Sequence, residues 1–491
     1  MKQLLDDFFN RNNIRSSLSG LRAMIKDKDK LEELRDKLDG RMDDVVACLN
    51  SEDAKTRKNA VLLLGDLEYE PAKDIIYQAY LNEQMMFVKE AYLSALSKLD
   101  ASSLVGELED RLNELKGNEV AKENEKHVAE EIRAIQKILI KYRGISRHAF
   151  TGYHKNIRVV LTCSRNQREL VKRKVGGDAK VHPLGVEVSS SEIDELLNIR
   201  CFREMIFPLD TKGLVPANPE EAAERIIESG ILELLFELHK EQSPFYYRIE
   251  CRSSMELDKR SDFAKKLAAA IDRLSDGKLI NSVGDYEVEI RLVANKEGKF
   301  FVGVRLATIR DNRFNYRKNS IAASIHPSTA ALIMEIARPY MLEHAQILDP
   351  FCGVGTMLIE RNYAVDAREI YGIDIFGEAI AKARANTDIT GMKINYIHRD
   401  FFDFRHDYKF DEIITNMPVR GKKTREEMAK LYDKFFKKAE TLLSEKGIII
   451  MYTNELGFVK KNLRINKRFN LLQETLMLSK GEYYLLILQC V

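Results

Sequence analysis

Apolar residues recur at three- and four-residue spacing from Met1 to about Tyr142, and Pro71 is the only proline there, so this stretch is predicted to be helical throughout. One internal repeat is visible. Asp53–Leu67 (DAKTRKNAVLLLGDL) aligns with Gln84–Lys98 (QMMFVKEAYLSALSK), placing Lys58 over Lys89, Ala60 over Ala91 and Leu62 over Leu93. Small alanines in amphipathic helices allow close helix approach, and helix pairs repeated at this period stack as solenoids. The charged stretch Glu107–Glu131 is expected to be a solvated helix face.

The pattern changes at Arg143-Gly144. Ile157–Cys163 (IRVVLTC) is predicted as a strand, and EVSSSEIDELLNI as a helix capped by Ser189 or Ser191. After Pro216-Ala-Asn-Pro219 a single helix is expected along PEEAAERIIESGILELLFELHK. Phe245–Cys251 alternates as a strand. Ser261–Leu274 reads as a helix capped by Ser261, with Phe263, Leu267, Ala270, Ile271 and Leu274 on its buried side. Glu287–Val293 and Phe300–Ala307 form a strand pair around Lys296-Glu-Gly298.

From there strand and helix alternate, as a parallel sheet requires. The predicted order is strand Ala345–Leu348, a helix from Met357, then strands Glu369–Ile373, Ile394–Ile397 and Phe410–Thr415. A helix Glu426–Leu443 and the strand GIIIMYT follow. FNLLQETLML and YYLLILQCV then close the chain as a hairpin around Ser479-Lys-Gly481. A length of 491 residues suggests about three domains. Their boundaries are set at 1–142, 143–308 and 309–491.

Composition adds little: 45% hydrophobic and 31% charged residues with a net charge of +2 describe an ordinary globular chain. The six cysteines show no CxxC pair and fit reduced thiols in a cytoplasmic protein. The opening MKQLLDDFFNRNN lacks a signal-like apolar run, and no apolar stretch approaches ~20 residues, so no membrane association is expected. Charge is unevenly spread. Lys141–Lys174 holds ten Lys or Arg against Glu169 alone, interleaved with Tyr142, Phe150 and Tyr153. Arg305, Arg310, Arg313, Arg317 and Lys318 form a second basic run. Both suit phosphate backbones, or are simply solvated.

The chemistry concentrates in the last domain. Asp349-Pro350-Phe-Cys352-Gly353-Val-Gly355-Thr356 joins a strand to a helix, and its glycines would let backbone approach a ligand. Asp374 ends the next strand 21 positions beyond Gly353, placed to accept from a ribose diol. A dinucleotide fingerprint wants a third small residue where Leu358 stands, so a cofactor with one adenosine and an amino-acid tail fits better. Asp400 can accept from an adenine amine and Phe401 can cover its ring. Asn416-Met417-Pro418-Val419 ends the fourth strand.

DPFCGVGTMLIE at Asp349–Glu360, preceded by SIHPSTAALIMEIA at Ser324–Ala337, resembles the THUMP-containing RNA methyltransferases that modify the exocyclic N2 of guanine. The resemblance implies a Rossmann-like class I methyltransferase sheet at the C-terminus, using S-adenosylmethionine and no metal. Phe245–Ala307, and more loosely Ile157–His239, resembles an α+β THUMP domain, which binds RNA. The N-terminal helices resemble short HEAT repeats and imply either a plain bundle or a platform for a protein partner. By the same resemblance His326, Pro327 and Ser328 lie beside the cofactor, and tRNA is the expected substrate, with ribosomal RNA the alternative. An exocyclic amine is a poor nucleophile. The Asn416 side chain and a carbonyl near Met417 or Pro418 would hold its two N–H bonds and aim its lone pair at the methyl group. Val419 departs from the family, which has an aromatic there to stack a flipped base. Arg420 or Tyr452 is then a candidate for stacking, and a non-catalytic RNA-binding scaffold stays open.

Overall fold

A computed structural model describes residues 1–25, 27–117, 124–240, 244–322 and 324–491. Its first part is helical, as the spacing predicts. The helices are α1 (Lys2–Phe9), α2 (Ile14–Met24), α3 (Lys28–Leu38), α4 (Met42–Ala47), α5 (Ala54–Asp66), α6 (Lys73–Asn82), α7 (Met86–Leu96), α8 (Val105–Gly117) and α9 (Glu125–Arg143). Helices α2, α5, α7 and α9 pack successively on one another, each also carrying the helix that precedes it in its pair: α1, α4, α6 or α8. The repeat lies on α5 and α7. They approach so closely at Gly65 that a Cβ there would lie 2.6 Å from Ala95 Cα. The expected solvated face at Glu107–Glu131 falls partly outside the described residues (118–123). It fails at Glu131, which is fully buried and accepts from Tyr80 Oη at 2.5 Å and from Arg111 at 3.0 Å.

Next come β1 (Ile157–Thr162), α10 (Arg168–Val175), β2 (Lys180–His182), β3 (Gly185–Ser190), α11 (Ile193–Leu196) and β4 (Met205–Pro208). Neither Ser189 nor Ser191 caps α11. Ser189 belongs to β3, and the N-cap is Glu192, whose own N–H is accepted by Ser190. The helix expected after Pro216 is two, α12 (Pro219–Glu228) and α13 (Ile231–Leu238), split where Gly230 takes a φ of 78°. β5 (Phe245–Arg252) leads to α14 (Leu257–Leu274), which starts a full turn before Ser261 and has Glu256 at its N-cap. β6 (Leu279–Asn281), β7 (Val288–Ala294) and β8 (Phe300–Leu306) complete this part.

The remainder comprises α15 (Pro327–Ala337), β9 (Ala345–Asp349), α16 (Thr356–Ala364), β10 (Ala367–Asp374), α17 (Gly377–Asp388), β11 (Asn395–His398), β12 (Phe410–Asn416), α18 (Arg425–Leu442), β13 (Leu443–Thr453), α19 (Leu456–Ile465), β14 (Phe469–Leu478) and β15 (Tyr483–Cys490). Helix α19 was not anticipated; its run LGFVKKNLRI is short, and Lys460, Lys461, Asn462 and Arg464 interrupt its apolar spacing. The strands form a seven-stranded sheet in the order β11-β10-β9-β12-β13-β15-β14, and only β15 runs against its neighbours. This is a mixed α/β fold with the sheet order of class I methyltransferases.

The chain divides into two compact units, 1–149 with 210–302, and 150–209 with 303–491. In the first, β5 pairs in parallel with both β6 and β7 beneath α14. In the second, β1 lies antiparallel between β3 and β4, and Arg200 clasps Glu360 on α16 through bonds of 2.7 and 2.8 Å. No described helix is long and apolar enough to cross a membrane.

Candidate active site

Parallel strands β9, β10 and β12 end on one edge, where chain turns converge and ligands gather in open α/β sheets. Asp349 closes β9. The turn after it runs through Gly353, with a φ of 53°, and Gly355, with a φ of 81°, into α16. Nothing lies within 4 Å of where a Gly353 Cβ would stand, so its backbone borders open space. Gly355 has a packing reason to be glycine. A Cβ there would fall 2.1 Å from the Tyr396 hydroxyl, so this glycine makes room for a packed ring. Asp374, at the end of β10, accepts from Gly353 N–H through one oxygen and from Phe376 N–H through the other, both at 2.9 Å.

A cavity of about 460 Å³ opens on this edge, of a size ordinary for a small-molecule site. It brings together Asp349, Pro350, Cys352, Gly353, Thr356, Asp374, Asp400, Phe401, Asn416, Met417, Pro418 and Val419, all marked by the sequence. His326, Pro327, Ser328 and Gly355 stand outside its lining. His326 caps α15 instead, its ring nitrogen 2.8 Å from the Ser328 hydroxyl. The lining residues that sequence reasoning missed include Ile321, Ser324 and Ile325 before α15, Ile375 and Phe376 after Asp374, and Lys423. Phe376 is 69% exposed, whereas Phe401 is 2% exposed and sits against Phe351 and Phe435. The signal for Phe376 was its place two residues past the acid that ends β10.

Three carboxylates, Asp349, Asp374 and Asp400, line a largely apolar chamber. Burial pushes the Asp349 carboxyl well above the usual range; the Phe351 N–H bond opposes this, and the nearby Asp374 charge adds to it. Burial likewise raises the Cys352 thiol, and both acids reinforce the shift. Cys352 is therefore a packed thiol and not a nucleophile, because the thiolate is the reactive form. The donor set fits S-adenosylmethionine: carboxylates for a diol and an ammonium group, and an open glycine turn beside them.

Asn416, the last residue of β12, keeps its carboxamide free of any hydrogen bond among the described residues. The backbone N–H of Met417 donates to Tyr452 O at 2.9 Å, and this anchors the turn to β13. Tyr452 is 4% exposed and stacks on Tyr483 at 5.1 Å, so it is already engaged and outside the lining. Arg420 Nε donates to Lys423 O. Val419 is exposed at the mouth. Two arginines of the second basic run are also engaged elsewhere. Arg313 is buried and donates to Ile199 O, Phe202 O and Asp311, while Arg317 binds Ile325 O at 2.8 Å and Thr356 Oγ1 at 2.9 Å. Both are thus tied to acceptors of the protein itself.

Residues 314–474 match the family described as RMKL-like, methyltransferase domain. A tRNA (guanine(10)-N2)-dimethyltransferase of Methanothermobacter thermautotrophicus is 28% identical over 185 residues, 35% of this chain and 54% of that protein. The enzyme of the same description from Pyrococcus abyssi is 31% identical over 100 residues, covering 19% of this chain and 29% of its own. The chain thus spans about half the length of the first relative. TrmN from Thermus thermophilus superposes with a TM-score of 0.52 at 20% identity, over 68% of this chain and 99% of its own, a likeness of fold. The C-terminal third of this chain is accordingly a methyltransferase domain that takes S-adenosylmethionine as its methyl donor.

Proposed function

We propose that the chain methylates RNA, transferring a methyl group from S-adenosylmethionine to the exocyclic N2 of a guanosine in tRNA. The observation that carries this reading is the Asn416 carboxamide, unpartnered among the described residues and facing the same cavity as Asp374 and Gly353. Its oxygen accepts one N–H of the target amine, and a carbonyl of the Met417-Pro418 turn accepts the other. The lone pair is thereby turned out of conjugation with the ring. The cofactor supplies an electrophilic methyl on a cationic sulfur. The protein contributes alignment and fixed dipoles, and no protein nucleophile takes part. Both curated relatives described above bear the name of a tRNA guanine-N2 methyltransferase, which supports the choice of base and RNA.

The three regions divide the work. Residues 309–491 perform transfer, 143–308 hold the RNA as a THUMP-like domain, and 1–142 form HEAT-like helix pairs that extend the surface. Arg158, Arg165, Lys172 and Arg173 make no ion pair among the described residues and are the phosphate contacts left in the first basic run. Incubation of the protein with labelled S-adenosylmethionine and total tRNA, followed by nucleoside mass spectrometry, tests the reading. N2-methylguanosine is the expected product. Label on another nucleoside contradicts it, as does transfer to ribosomal RNA alone when total RNA replaces the tRNA.

A further inference from the structure

The helical region carries a second concave site that methyl transfer does not use. A broad groove of about 920 Å³ is lined by Arg11, Arg15, Lys55 and Lys58, with polar side chains such as Asn13 and Ser16 between them and no acid in its wall. It lies where the N-terminal ends of α2 and α5 meet Phe87 near the start of α7. The turn before α2 holds two non-glycine residues in the left-handed region, Arg11 at a φ of 56° and Asn13 at 51°.

The four cations differ from others in the same helical region. Arg22 pairs with Asp66, Arg35 with Glu68, Arg57 with Glu83, Lys98 with Asp66 and Arg111 with Glu131. Arg11, Arg15, Lys55 and Lys58 have no ion pair among the described residues. Asp53, at the same helix end, turns its oxygens to Lys55 N–H, Thr56 N–H and the Thr56 hydroxyl. The repeat shows the contrast within one motif. Lys89 is buried over the Tyr80 ring, whereas its counterpart Lys58 stays at the groove, 5.9 Å from the Phe87 ring. Arg15 feels the Asp53 charge nearby without pairing with it, and four cations without an ion pair on one concave wall repel one another, a cost offset when a polyanion lies among them.

We propose that this groove is a second RNA site, gripping the phosphate backbone of the same RNA that the methyltransferase domain modifies. The inference rests on the RNA reading above. Its wall offers apolar surface only at Ile14 and Phe87, too little to enter a bilayer, while a half-buried ring under a lysine suits a nucleotide base.

The test compares the full-length protein with a variant carrying Arg11→Ala, Arg15→Ala, Lys55→Ala and Lys58→Ala. Binding of labelled tRNA is titrated across potassium chloride concentrations. The variant should bind at least about tenfold more weakly near 0.1 M salt, and its log–log salt slope should shrink by about 2 to 3. Calorimetry with S-adenosylmethionine should be unchanged. In wild type, tRNA should shield Lys55 and Lys58 from amine acylation. Equal tRNA affinity and slope, with both lysines still reactive, overturns the groove and leaves the function reading intact. No tRNA binding by wild type overturns both. Loss of binding to phosphatidylserine vesicles, with tRNA binding kept, assigns the groove to a membrane surface instead.

Discussion

The backbone N–H of Gly353 donates to Asp374 Oδ2 at 2.9 Å, tying the turn after β9 to the end of β10. One carboxylate therefore shapes the turn and faces the cavity together. Asp374→Ala removes this bond, the bond from Phe376 and the acceptor for the ribose. Charge-assisted bonds contribute ~1.5–3 kcal/mol each, so S-adenosylmethionine affinity measured by calorimetry should fall about 10- to 100-fold. Asp374→Asn keeps acceptor oxygen on one side only and should fall between the two.

Asp349 should couple cofactor binding to protons. Its carboxyl is held well above the usual range in the free protein, chiefly by burial. A cationic ligand favours the charged form, so binding lowers that pKa and releases protons, and affinity rises as pH climbs toward the free-protein value. The folding linkage has the opposite sense. An acid whose folded pKa is raised costs stability as pH rises from its unfolded pKa to its folded one. Calorimetry in buffers of differing ionisation enthalpy should show the release, and Asp349→Asn should abolish it.

The strand that ends in Asn416 is braced near its start by a buried ion pair. Arg361 on α16 and Glu412 on β12 are both fully buried and meet at 2.7 and 2.8 Å; Leu342 N–H donates to Glu412, and Arg361 donates to Leu342 O and Val365 O. Arg361→Ala leaves Glu412 charged and unpaired, which should cost about 3–5 kcal/mol in urea unfolding. The double exchange Arg361→Met with Glu412→Leu should cost less than the single one.

Much of the site was legible because it is local. Asp349, Asp374 and Asn416 each stand at a strand end, with Gly353 in the turn that follows the first, and strand ends are set by short apolar runs. What was illegible depends on partners distant in sequence. Gly355 is required by Tyr396, 41 positions on, so its glycine looked like part of the ligand cradle. Arg313 and Arg317 read as phosphate contacts until Ile199, Phe202 and Thr356 proved to be their acceptors. The break at Gly230 went unread because ILELLFEL continues the apolar spacing across it. Ser189 and Ser261 misled because a capping residue type also occurs within a strand and within a helix.

Val419 is 45% exposed at the cavity mouth, where an aromatic ring would stack on a flipped base. Val419→Tyr should hold or raise turnover on tRNA and lower KM, since base stacking contributes about 1–3 kcal/mol. A fall in turnover with KM unchanged would mean that the base enters by another face.

Turnover of the Asn416→Ala variant tests the central claim most directly. Its missing carbonyl acts as the amine approaches tetrahedral geometry, so the loss falls on the transition state. By analogy with removing one fixed dipole from an active site, methyl transfer to tRNA should drop about 10²–10³-fold, with S-adenosylmethionine affinity nearly unchanged. An Asn416→Ala protein that methylates tRNA as fast as wild type would contradict the account.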